Sequence, residues 1–291
     1  MPPDANTQAA GLRHLRTHRP VRVIAVTSGK GGVGKTSVSV NLAVAMAAEG
    51  QQVMLLDGDL GLANVDVMLG LQPTFNLSHV LEGRCRLEDT LLTGPNGVMV
   101  APASSGKRNM AELSTAEHAG LVQAFSELNR PLDTLIVDTA AGIADSVITF
   151  SQAAQEIIVV VCNEPSSLTD AYALIKVLNK DHGIERVHVL ANMTHAPAEG
   201  REVFDNLRRV AERFLDVTLD YMGAVPHDEW LRRAIRRQRA VVDAYPNCAA
   251  SEALRALARK AMSWGLPDGA RGNLEFFVER LIAPETLGAV A

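Results

Sequence analysis

Residues 21–50 run "VRVIAVTSGKGGVGKTSVSVNLAVAMAAEG". An apolar stretch leads into an eight-residue loop, Gly29–Thr36, that is half glycine, and a second apolar stretch follows and stops at Gly50. This arrangement leaves few options. The loop fits G-x-x-x-x-G-K-[ST], a pattern that carries meaning when a strand precedes it and a helix follows, as the flanking stretches predict here. Glycines at 29, 31, 32 and 34 let backbone N–H groups wrap phosphate oxygens without Cβ clashes. A helix beginning near Lys35 turns its positive dipole end toward the same place. Lys35 then reaches the outer phosphates and the Thr36 hydroxyl binds Mg²⁺. ATP and Mg²⁺ are the expected ligands.

The rest of the chain repeats the theme. "QQVMLLDGD", "GVMVAPA", "LDTLIVDTAAG", "EIIVVVCNEP", "RVHVLANM" and "VTLDYMGAVPHD" read as strands. Helical stretches separate most of them, including "SLTDAYALIKVLNKD", with Ser167 or Thr169 near its cap, and "EGREVFDNLRRVAERFL". Further helices are expected around 229–238 and 250–263. Such alternation means βαβ units. The expected fold is α/β: a three-layer P-loop NTPase with a mostly parallel central sheet and helices on both faces. The 47% hydrophobic, 4% aromatic composition suits a buried sheet of this kind. We divide the chain into a tail (1–20), an ATPase domain (21–265) and a C-terminal amphipathic helix with its tail (266–291).

A formal net charge of −5 supplies no global field toward nucleic acid or anionic lipid. No apolar run approaches the roughly 18 residues of a spanning helix. Cys85, Cys162 and Cys248 are far apart and include no C-x-x-C pair, so reduced thiols in a cytoplasmic protein are expected rather than a disulfide framework or zinc site.

Lys30 is the unusual residue, because it turns the loop into K-G-G-x-G-K-T. This resembles the deviant phosphate loop of the MinD/ParA family of ATPases. The resemblance implies that Lys30 crosses a dimer interface to the nucleotide held by a second copy, so that ATP closes the dimer and the dimer completes the catalytic site. It implies nucleotide contacts from Gly29 through Thr36, including Val33, and from Ser37. Asp59, the second acid of "LLDGDLGLANVD", would sit in a first switch loop, orient the attacking water and stand near the metal. Asp57 would support that loop or the metal's water shell. Asp138, closing "LIVDTAAG", would reach Mg²⁺ through a water, and Gly142 would act as hinge of a second switch loop. Asn192, Pro226 and Asp228 would form the base pocket, and His227 is expected to be an exposed loop residue.

Within that family several stretches are similar to the flagellar-number regulators, the FlhG/FleN branch: "DLGLANVDVMLGL", "NLSHVLEGRCRLEDTLL", "DTAAGIADSV", "EPSSLTDAYALIKVLN" and "GNLEFFVERLIAP". The resemblance implies an ATP-dependent homodimer that binds the flagellar master transcription activator (FleQ-type) and the FlhF GTPase. "TQAAGLRHL" is similar to the tail segment with which such proteins stimulate FlhF. Gln8, Ala9, Leu12 and Arg13 match, while Thr7 stands where an acid is expected. Leu274, Phe277, Val278, Leu281 and Ile282 line one helical face. In relatives such a face makes peripheral contact with the inner face of the cell membrane, toward the pole. Glu275, Glu279 and Glu285 outnumber Arg271 and Arg280, however, so packing on the protein's own core stays open. "LRRAIRRQR" gathers five arginines in eight residues (232–239), but the negative net charge and the lack of interleaved aromatics beyond Trp230 argue against direct DNA binding. A MinD-type division or ParA-type segregation ATPase is the alternative reading.

Overall fold

A computed structural model describes residues 20–59, 64–102, 123–125, 127–128 and 130–265. Eight strands form one sheet: β1 (Arg22–Ser28), β2 (Val53–Gly58), β3 (Leu92–Thr93), β4 (Met99–Ala101), β5 (Thr134–Ala141), β6 (Glu156–Val161), β7 (Arg186–Thr194) and β8 (Thr218–Pro226). Their order is β3-β4-β2-β5-β1-β6-β7-β8. Only the β3–β4 pairing is antiparallel. The described helices are α1 (Lys35–Ala48), α2 (Val65–Leu69), α3 (Leu77–Leu81), α4 (Leu87–Thr90), α5 (Asp145–Ala153), α6 (Pro165–Lys180), α7 (Glu199–Phe214), α8 (Glu229–Arg236), α9 (Val241–Ala244) and α10 (Ala249–Met262).

β1 lies in mid-sheet between β5 and β6, and all seven of its residues are buried. That explains its nearly unbroken apolar sequence, since helices cover both faces of a parallel sheet. Alternation survives in three dimensions. Ile24 and Val26 pack with α1 and α10, while Val23 and Ala25 pack with Phe150 and Ala153 of α5 on the opposite face. Farther along the sheet, β6 and β7 bury Val159 and Val189 against Ile175 of α6 and Val203, Phe204 and Leu207 of α7. The three layers expected from sequence are therefore present.

α1 is apolar almost all round because the sheet lies on one side and α10 on the other. It ends as expected. Gly50 takes φ 92, its N–H reaches Ala47 O, and Gln51 N reaches Met46 O. One local expectation is corrected. α6 begins at Pro165, ahead of Ser167 and Thr169, because proline suits the first helical position. Ser167 instead lies inside the helix, where its Oγ accepts the Cys162 N–H at 3.0 Å. The tail with Gln8, Ala9, Leu12 and Arg13, and the apolar face 274–282, lie outside the described residues. None of the described helices is long and apolar enough to cross a membrane.

Candidate nucleotide site

The C-terminal ends of β1, β2, β5 and β7 converge on one edge of the sheet, where open α/β folds place ligands. The loop after β1 is shaped by two tight constraints. Gly34, the N-cap of α1, has φ 85, and a Cβ there would lie 2.4 Å from Asn192 Nδ2. Gly29 abuts α6 so closely that its Cβ would lie 2.2 Å from the Asp170 carbonyl. No side chain caps the N-terminus of α1, and no acid stands in its first turn. Those orphan amides and the uncompensated dipole end fit an anion.

Lys35 is buried, with Nζ 3.1 Å from Asp138 Oδ1. Thr36 Oγ1 donates to Asp138 Oδ2 at 2.7 Å, and Ser39 Oγ lies 2.8 Å from Asp138 Oδ1. Asp138, at the end of β5, thus gathers three residues of α1. The sequence reading had not assigned Ser39, although it stands one helical turn after Lys35 on the same face.

Lys30 points elsewhere. Its Nζ lies 2.7 Å from Glu164 Oε2 and 2.8 Å from Ser166 Oγ, at the start of α6. The Glu164 hydrogen bond raises the ammonium pKa above its ordinary value. The lysine side chain is 35% exposed and that of Glu164 60%. Neither Glu164 nor Ser166 carried a sequence signal for this contact, 134 and 136 residues away.

Asp57 is buried at the end of β2, in register with Asp138 of β5. Burial pushes its carboxyl up to about 6, against the pull of backbone N–H groups from Val65, Asn64 and Asp59. Asp59 follows the strand and donates its N–H to Asp57 Oδ1 at 3.1 Å. Gly142 N donates to Ser28 O at 2.8 Å, which ties the second switch segment to β1. Ile143 next to it is 54% exposed.

On the opposite flank, Asn192 Nδ2 donates to the Val33 carbonyl at 2.7 Å, while its buried Oδ1 has no hydrogen-bond partner. A bulge in the β7–β8 pairing and a left-handed Met193, φ 59, set this turn of the strand. Pro226 closes β8. Asp228 has a task the sequence did not reveal: it caps α8 through Trp230 N at 2.8 Å and accepts Ala250 N at 3.0 Å. His227 stacks with His195, ring centroids 5.1 Å apart. Near the loop, burial pushes the Cys162 thiol up to about 11.

A strand, a glycine loop carrying Lys35 and Thr36, and a second strand ending on Asp138 define a P-loop NTPase. The ParA family model (NUBPL iron-transfer P-loop NTPase) matches residues 20–262. The chain is 58% identical to the antiactivator FleN of Pseudomonas aeruginosa over 278 residues, covering 96% of this chain and 99% of that protein. It is 33% identical to the flagellum site-determining protein YlxH of Helicobacter pylori, covering 90% of each. Among solved structures, the septum site-determining protein MinD of Pyrococcus horikoshii, complexed with Mg-ADP, matches with a TM-score of 0.64 and 27% identity, over 84% of this chain and 96% of that one. The chain belongs to the ParA/MinD family of P-loop NTPases, on the side of its flagellar regulators.

Proposed function

We propose that this protein is an ATP-dependent dimerising switch with slow, regulatory hydrolysis that limits the number of flagella per cell. The observation that carries the proposal is the loop with two lysines, one turned inward to Asp138 and one left near the surface against Glu164. The 58% identity to an antiactivator supports the flagellar assignment.

The site fits ATP and Mg²⁺. α1 presents an uncapped N-terminus, and Asn192 keeps a buried acceptor without a partner beside the loop. Gly29, Gly31, Gly32, Val33, Gly34 and Ser37 would line the phosphates with Lys35 and Thr36. Thr36, Asp59 and Asp138 would hold Mg²⁺, which supplies positive charge against the phosphates when bound. Asn192, Pro226 and Asp228 would border the base, Asp228 by fixing where α8 starts. Lys35 exchanges Asp138 for phosphate oxygens, and Lys30 leaves Glu164 to reach the phosphates held by a second copy. Asp59 orients the attacking water. Closing the dimer brings Lys30 and Asp59 into the same site, and hydrolysis releases it.

Two partners belong to the proposal: the flagellar master transcription activator (FleQ-type) and FlhF, the latter through Gln8, Ala9, Leu12 and Arg13. Peripheral membrane contact through 274–282, near the cell pole, is the proposed mode of localisation for an otherwise cytoplasmic protein. Direct DNA binding is not proposed. Of the five arginines around α8, Arg232 pairs with Glu229, Arg239 with Asp243, and Arg233 lies over Trp230.

The test is a count of flagella and a check of division in cells lacking the protein. Many flagella with normal division are expected. Normal flagella with minicells or lost DNA would move the assignment to a MinD-type or ParA-type role.

A further inference from the structure

Asp57 spans a loop. Its Oδ1 accepts the N–H of Asp59, and its Oδ2 accepts those of Asn64 at 3.0 Å and Val65 at 3.2 Å. One buried carboxylate therefore grips both stems of the segment that leaves the sheet at Asp59 and returns at Asn64. The grip also substitutes for a missing cap: Asn64, the N-cap of α2, makes no side-chain capping bond of its own, so the Val65 N–H depends on Asp57. The far end of α2 is held as well, since Gln238 Nε2 donates to Val67 O at 2.9 Å. On the sheet side Asp57 stands beside Asp138, the register partner that gathers Lys35, Thr36 and Ser39. All three hydrogen bonds described for Asp57 go to backbone amides of the loop stems.

We infer that Asp57 is the positioning residue for Asp59: it acts on hydrolysis by fixing where the first switch loop departs from β2, without being needed to hold the nucleotide. The inference rests on the proposed role of Asp59 in orienting water. Misplacement of a positioned group by an ångström or so costs on the order of a hundredfold in rate. Removing one side of the grip should therefore lower kcat while the loop Gly29–Thr36 keeps its affinity.

The experiment measures ATP binding and single-turnover hydrolysis for the full-length wild type, Asp57→Asn, Asp59→Ala and the double variant, all with Mg²⁺. Asp57→Asn should lose roughly tenfold to a hundredfold in hydrolysis rate with ATP affinity little changed. In the Asp59→Ala background the same substitution should cost nothing further, because it acts through Asp59. Wild-type hydrolysis by Asp57→Asn, a full multiplicative loss in the double variant, or a loss of ATP affinity would each overturn the inference. A wild type without ATPase activity, or Asp59→Ala as active as wild type, would instead remove the parent reading. If the variant does not fold, amide exchange in the wild type decides: Asn64 and Val65 should be protected, and fast exchange at both would sink the idea.

Discussion

Lys30 and Lys35 occupy the same loop and have opposite circumstances. Lys35 is buried, and its partner Asp138 is fully so, on the neighbouring strand β5. Lys30 is part-exposed, and its partner Glu164 is more exposed still. Breaking a buried pair by removing one partner strands a charge in a poorly solvated place, whereas an exposed pair loses little because water replaces the partner. The inner lysine is thus committed to a position inside its own chain. The outer one is held by a contact that can be surrendered, as a residue destined for a second protomer must be.

The largest effect expected from this contrast is that of Lys35→Ala. ATP affinity should fall by on the order of a hundredfold, because the loop loses its one buried cation. The nucleotide-free protein should also lose about 3 kcal/mol, since Asp138 keeps only its hydroxyl partners Thr36 and Ser39. Isothermal titration and urea unfolding read the two losses separately. If stability were unchanged, Lys35 and Asp138 would not be mutually dependent.

Lys30→Ala should behave differently. Binding of ATP to the single protomer should change by no more than a few-fold, and unfolding should hardly shift, yet the ATP-dependent dimer should disappear in sedimentation experiments. A variant that still dimerised with ATP would break the comparison, because Lys30 would then be an ordinary surface lysine.

The buried side of the site can be probed through Asp57. Its carboxyl is raised from 3.8 to about 6, chiefly by burial. Between those values the folded chain holds more protons than the unfolded one, so stability falls as pH rises through this window and is level on either side. A shift of about two units corresponds to about 3 kcal/mol. Asp57→Asn should flatten that part of the curve in nucleotide-free protein, measured by urea unfolding at pH 4, 5, 6 and 7. An unchanged slope would mean that Asp57 is more hydrated than its geometry implies.

The two lysines also mark how far the sequence could be read. Lys35, Thr36 and Asp138 were legible because their roles follow from short motifs on strand ends, and β1 and α1 were legible because burial leaves apolar runs of characteristic period. Ser39 was within reach, being one turn from Lys35. Glu164 and Ser166 were not, since their contact with Lys30 exists only after β6 and α6 have packed beside the loop. The short elements α2 and β3 escaped because a few residues carry too little periodicity, and the capping work of Asp57 and Asp228 escaped because their partners come from other elements.

Glu164→Ala should produce the smallest effect and the sharpest test. With the carboxylate gone, Lys30 loses its strongest in-chain hold, while Ser166 Oγ at 2.8 Å remains. Unfolding should be close to wild type, because an exposed pair stabilises little. If the contact competes with the dimer, its removal should tighten ATP-dependent dimerisation a few-fold, with no change in ATP affinity of the single protomer. The gain is bounded by what the pair was worth, so a large gain would mean that Glu164 also opposes the second protomer directly. Weaker dimerisation would reverse the argument: Glu164 would then hold Lys30 in the conformation the dimer uses, and the contact would be preorganisation rather than restraint.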